Sequence, residues 1–151
     1  MVKTTVQTRR PKWLAPPAGC MKINVDASIS KNMFRVSVAA VAHDQAGKFL
    51  GASGVVLEGI TDAKTAEAIA CREGLALASD LYLQSFRLAS DSANVIRSIG
   101  EEGMGPYGQV VKEVRARARD FIYVDFAHES RKSNVDAHNL ARSMFSFETD
   151  C

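Results

Sequence analysis

The hydrophobic pattern of the chain changes period along its length. In "MKINVDAS", Met21, Ile23 and Val25 alternate with Lys22, Asn24 and Asp26, the period of two of a half-buried strand. "FRVSVAAVAHD" continues with Val36, Val38 and the small residues Ala39 to Ala42 as a second strand. Asp44 to Gly47 form a turn signal, and "KFLGASGVVLEG" reads as a third strand whose glycines mark candidate bulges. Short connections between these segments predict an antiparallel meander.

From Asp62 to about Leu83 the period becomes helical, with Ala66, Ile69, Ala70, Leu77 and Leu81 near one face and Thr61 or Asp62 as the N-cap. "FRLASDS" predicts a fourth strand, Phe86 to Ser90, feeding a short helix through about Ile99. Gly100, Gly103, Gly105 and Pro106 interrupt the chain before a second long helix over about Tyr107 to Asp120. "FIYVDFAHES" is a fifth strand, and Asn134 to Met144 a closing helix. A helix between the third and fourth strands makes a crossover, so that pair is expected to be parallel. The fold class is then α/β, a mixed five-stranded sheet flanked by helices, in one domain. "WLAPPAGC" is extended by its prolines and glycine, giving a lead-in over 1–20, a domain over 21–146 and a tail over 147–151. Trp13 is the residue placed to dock that lead-in.

Composition narrows the setting. No apolar run reaches the roughly 18 to 20 residues of a membrane helix, and the polar, basic start predicts no secretory signal. Cys20, Cys71 and Cys151 are odd in number and fit no CxxC spacing, which argues against zinc or a disulfide framework. Free thiols suit an intracellular compartment, with nucleus and cytoplasm both open. The net charge of +2 divides unevenly: Lys3, Arg9, Arg10 and Lys12 give the first 12 residues +4 and leave the rest at −2. A grip on phosphates must therefore come from local patches rather than the bulk field.

Three acids stand in suggestive places. Asp26 ends the first strand, Glu67 lies in the first turns of the long helix, and Asp91 ends the fourth strand. Such positions can converge at one sheet edge, where carboxylates repel one another unless hard cations neutralise them. The plainer alternative for Asp91 is to cap the helix that follows.

Four blocks, "KINVDAS", "AEAIACREGLALA", "LASDS" and "HESRKSNVDAHNLA", resemble in order the signature blocks of the ribonuclease H family. They are most similar to its divergent plant branch, found in non-LTR retroelement polyproteins and as stand-alone domains. The resemblance covers about residues 20 to 145 and implies a ribonuclease H-like fold. It also implies that Asp26, Glu67 and Asp91 hold two divalent ions, Mg²⁺ or Mn²⁺, for phosphodiester hydrolysis. In the fourth block His138 stands where the family carries its last aspartate, with Asn134, Ala137, Leu140 and Ala141 in register around it. Asp136 is a poor substitute, because two residues along a helix is about 200° of rotation. His138 is therefore expected to take part in the site, as a ligand or a hydrogen-bond partner, and to tilt preference toward Mn²⁺. The alternative is a side chain that merely packs beside a weakened site. His128 matches the family's mobile-loop histidine, and Arg131 its loop cation; a strand-end histidine and a solvated loop charge are the plainer readings.

Substrate contacts are less well marked. "KNMFRVS" stands where the family has glycines, Ala63 and Lys64 near its asparagines, and Ala27 after Asp26. Candidate phosphate contacts are Ser92 and Asn94, just past Asp91, and the stripe of Lys112, Arg115 and Arg119 on the second long helix. The stripe's alternative is a solvated helix face. "GEEGMGPYG" occupies the region of the basic handle helix of some relatives and is acidic. The resemblance implies a metal-dependent endonuclease cutting the RNA strand of RNA–DNA hybrids, with nucleic acid as partner and no membrane. Two alternatives stay open. One is a weakly active or inactive module that binds nucleic acid or protein; the other is a different nuclease activity on the same fold.

Overall fold

In a computed structural model, residues 13–30, 34–60, 62–100 and 108–149 are described, with only the backbone for 146–149. The basic start with Lys3, Arg9, Arg10 and Lys12, the opening of "KNMFRVS", the cap candidate Thr61, the acidic segment through Tyr107, and Cys151 lie outside the described residues.

The alternating segments form β1 (Met21–Ser30), β2 (Arg35–His43) and β3 (Phe49–Glu58), and the later strands are β4 (Ser85–Ser90) and β5 (Tyr123–His128). The helices are α1 (Ala63–Asp80), α2 (Ala93–Gly100), α3 (Gly108–Ala118) and α4 (Val135–Thr149), with a 3₁₀ turn at Arg131–Ser133. The sheet order is β3-β2-β1-β4-β5. β1, β2 and β3 form the antiparallel meander, and β4 and β5 add in parallel beyond β1.

Two sequence expectations need correction. β3 and β4 run in the same direction, but β2 and β1 stand between them, so they are not a pair. The crossover through α1 returns the chain to β1, because that places the apolar face of α1 over the centre of the sheet. Asp26 does not end its strand either. β1 continues to Ser30 as one arm of a hairpin with β2, while its parallel pairing with β4 is recorded from Met21 to Asn24. Asp26 is thus mid-strand, yet just past the point where β4 departs.

Strand alternation separates the two faces of the parallel half. Ile23, Val25, Phe86 and Leu88 are fully buried and join the core with α1, α2 and α3. α1 approaches closely at Gly74, where an added Cβ would lie 2.7 Å from both Leu88 and Val25. On the opposite face α4 crosses β1, β2 and β3. Gly54 serves the same purpose there, since its Cβ would meet the Met144 sulfur at 2.9 Å. The bulge in β3 falls at Leu50, between the pairs Ala42–Gly51 and His43–Phe49.

Element ends follow local chemistry. Asp62 caps α1 by accepting from the Thr65 N–H at 2.8 Å. α1 stops at Asp80 rather than about Leu83, in a Schellman turn where Leu83 N–H reaches Ala78 O and Tyr82 N–H reaches Ser79 O. Tyr82 occupies the left-handed position usually given to glycine, with φ 59°. α4 extends beyond Met144 to Thr149, into the stretch the pattern assigned to a tail. Trp13 does dock the lead-in, its ring 5.4 Å from that of His43 and beneath the Lys22 ammonium.

Candidate metal centre

Three elements deliver the acids. On β1 and β4 the register Asn24–Ala89 makes Asp26 and Asp91 level, two residues further along each strand. Glu67 comes from the second turn of α1, between the buried Ala66 and Ala68. Carboxylate oxygens of Asp26, Glu67 and Asp91 all lie within 4.8 Å of one another.

The electrostatics are those of carboxylates crowded together. The Glu67 carboxyl is pushed up to about 9, first by burial and then by the charges of Asp26 and Asp91. Asp26 is raised as well, by burial and by Asp91, with the His138 hydrogen bond opposing. Glu67 Oε1 is buried without a hydrogen-bond partner. An orphaned buried oxygen beside two further carboxylates is a donor set that suits a hard divalent ion such as Mg²⁺ or Mn²⁺ and offers no soft ligand.

His138 is brought to the cluster but does not complete it as a fourth oxygen would. Its Nδ1 lies 2.8 Å from Asp26 Oδ2. The helix register behind this contact is set by Asn134, a fully buried residue whose signal in the sequence was its place in the fourth block. Asn134 Nδ2 donates to Val25 O at 2.9 Å, and its Oδ1 accepts from Asn24 Nδ2 at 2.9 Å. Its own carbonyl accepts from the His138 N–H. Asp136 is exposed and turned to His43, 3.6 Å away, on another side of the helix.

The remaining candidates divide. Arg131 stands 3.7 Å from Asp91 with its side chain 76% exposed, at the rim of the cluster. Ser92 and Asn94 open α2: the Ser92 carbonyl accepts from Ile96 N–H, and Asn94 Oδ1 accepts from Arg97 at 3.1 Å. His128 is exposed and stands opposite Ser90 as the last residue of β5, a strand end rather than a loop, because the ladder continues through Glu129 N–H to Ser90 O. The basic stripe on α3 is broken. Arg115 is committed to the carboxyl end of α2, donating to Ile99 O at 2.7 Å and Ser98 O at 3.0 Å, whereas Lys112 and Arg119 are exposed. Helix ends leave carbonyls without partners, and a guanidinium one element away satisfies them.

One feature had no usable sequence signal. Lys22, on the polar face of β1, is completely buried, with Nζ 2.7 Å from both Glu129 Oε2 and Leu14 O. A lysine at an outward strand position ordinarily reads as solvated.

Known proteins bear directly on this arrangement. The sequence profile of the "Reverse transcriptase-like" family matches residues 24–144. The ribonuclease H1 of the archaeon Halobacterium salinarum superposes with a TM-score of 0.71 at 22% identity, covering 85% of this chain and 98% of that one. The N-terminal ribonuclease H domain of a Mycobacterium tuberculosis protein, solved as a fusion with maltose-binding protein, gives 0.76 at 19% identity, covering 86% and 96%. A third, LC11 ribonuclease H1 in complex with RNA/DNA hybrid, gives 0.71 at 19%, covering 82% and 94%. No curated protein matches in sequence. With a profile match over most of its length and a sheet of the same class as these neighbours, the chain belongs to the reverse transcriptase-like family, with the ribonuclease H-like fold.

Proposed function

We propose that this domain is a metal-dependent endonuclease that cleaves the RNA strand of RNA–DNA hybrids. The observation that carries the proposal is the Asp26, Glu67 and Asp91 cluster, with Glu67 Oε1 buried and unpartnered. These three side chains would hold the divalent ions, two in the reading taken from the family. Bound there, the ions supply an activated water and charge stabilisation for the leaving 3′ oxygen. The chain's own residues do the rest. Burial keeps the carboxylates from competing solvent, and Arg131 places a cation beside Asp91 where a phosphate approaches. Ser92, Asn94, Lys112 and Arg119 are candidates for the flanking backbone. The hybrid is favoured as substrate by the structural neighbour solved with one. An intracellular setting belongs to the same reading, with Cys20 and Cys71 buried as free thiols.

A second reading is a weakly active or inactive nucleic-acid-binding module. It is favoured by His138, which contributes a hydrogen bond to Asp26 where a fourth carboxylate would add charge. The test is incubation of labelled hybrid, duplex DNA, duplex RNA and single strands with Mg²⁺ or Mn²⁺, alongside Asp91→Asn. Hybrid cleavage that needs the ion and is lost in Asp91→Asn is the expected result. Cleavage untouched by Asp91→Asn would sink the proposal, and hybrid binding without cleavage would favour the second reading.

A further inference from the structure

We infer that His138 is a positioning residue that fixes the Asp26 carboxylate from its Nδ1 side, and that it is not itself a ligand of the centre. This inference rests on the metal-centre reading above. Three observations carry it.

The first is direct. His138 Nδ1 is 2.8 Å from Asp26 Oδ2, so the nitrogen nearest the cluster is already engaged. In the tautomer that carries its proton on Nδ1, that nitrogen donates to the carboxylate and has no lone pair left for a cation. The other nitrogen, Nε2, lies across the five-membered ring and points away from Asp26.

The second is how the contact is built. Asn134 is clamped to both residues that precede Asp26, to the side chain of Asn24 and the carbonyl of Val25. It also receives the His138 N–H. The start of α4 is thereby tied to β1 one helical turn before His138, and the imidazole is set down at Asp26 by helix register. Ser37 Oγ holds the Ala141 carbonyl further along the same helix.

The third is the consequence for the cluster. Asp26 Oδ2 is held by the imidazole, which fixes how the carboxylate faces Glu67 and Asp91. Outer-shell partners of this kind orient a ligating carboxylate, and their loss typically lowers metal affinity by about 10–100-fold.

The two amide replacements of histidine separate the roles. In His138→Asn the side-chain amide can stand where Nδ1 stood; in His138→Gln it stands where Nε2 stood. Calorimetric titration of the full chain with Mn²⁺ is the readout, with thermal unfolding as a check that each variant is folded. Asn should bind Mn²⁺ close to the parent's affinity, and Gln about tenfold more weakly. Gln matching the parent while Asn fails would mean ligation through Nε2 and would overturn the inference. Equal, undiminished binding in both would make His138 a bystander and also overturn it. Absence of Mn²⁺ binding by the parent chain would instead bring down the metal-centre reading itself.

Discussion

Two groups of charge are built beside β1, and they obey opposite rules. Lys22 and Glu129 form a pair of opposite sign, closed by the Leu14 carbonyl and covered by Trp13. Asp26, Glu67 and Asp91 form a group of one sign, with Arg131 only at its rim and His138 behind Asp26. The pair cancels its own charge through Glu129 Oε2, although Glu129 Oε1 is buried without a hydrogen-bond partner. Burial lowers the Lys22 ammonium while Glu129 raises it, so the two influences oppose within the fold. In the triad, burial and like charge push the same way, with only partial relief from Arg131 at Glu67 and from His138 at Asp26. A buried charge that is compensated serves stability or register; one left uncompensated awaits something from outside.

The largest effect should come from converting the first kind into the second. Lys22→Ala removes one partner and leaves Glu129 buried with no cation, which should cost about 3–5 kcal/mol in denaturant unfolding. Replacing both residues with apolar ones of similar volume, Lys22→Met with Glu129→Leu, should recover most of that loss. A single-variant cost below about 1 kcal/mol, the level of an exposed pair, would refute the contrast.

The triad should show the reverse dependence, with stability limited by charge it cannot pair. Glu67 keeps its proton up to about pH 9 in the fold, whereas an unfolded glutamate loses it near 4.5. Between those values the native state binds the extra proton, so stability falls as pH rises through that window. Melting temperature without divalent ions should therefore decline from about pH 5 to pH 9, and Glu67→Gln should flatten the decline. Mn²⁺ at about 100 times its Kd should stabilise the parent by about 2.7 kcal/mol. At a fixed Mn²⁺ concentration the gain should be greater at pH 8 than at pH 6, since proton and ion compete for the same oxygens. A pH-independent Mn²⁺ effect would mean that the ion binds elsewhere.

The same contrast explains what the sequence could show. Alternation in "MKINVDAS" and the helical period after Asp62 are local, and they were enough for five strands and the long helix, whereas Asp26, Glu67 and Asp91 were singled out as a set by the four ordered blocks. Which strand β4 joins is decided by where α1 can bury its apolar face, so β1 rather than β3 was not legible. The end of α1 was misplaced because Tyr82 adopts the left-handed turn that glycine would have advertised. The fate of a charge was equally hidden. Lys22 and Arg115 look like exposed cations in the sequence, and each finds its partners on a distant segment: Leu14 and Glu129 for one, Ser98 and Ile99 for the other.

Arg115 carries the comparison to a half-buried surface. Its guanidinium closes the carboxyl end of α2, so Arg115→Ala should cost about 1 kcal/mol in denaturant unfolding through lost hydrogen bonds. Equal stability of the variant would show that water replaces the guanidinium without penalty.

The smallest effect separates Arg115 from Lys112 on α3 and from Arg119 just past its end. Lys112 and Arg119 are exposed, with ammonium and guanidinium groups open to a nucleic-acid backbone. If the hybrid lies across α3, each contact with phosphate releases condensed counterions, and affinity falls with salt in proportion to the contacts made. Lys112→Ala and Arg119→Ala should each reduce the slope of log affinity against log salt by about 1. Arg115→Ala should leave that slope nearly unchanged, because its donors already face Ser98 O and Ile99 O. Binding of a catalytically silenced Asp91→Asn background to labelled hybrid over a salt series measures all three. Unchanged slopes for Lys112 and Arg119 would move the hybrid off α3 and return that stripe to a solvated face. A slope lost with Arg115 would mean that its bonds to α2 exchange for phosphate on binding, blurring the line between compensated and available charge.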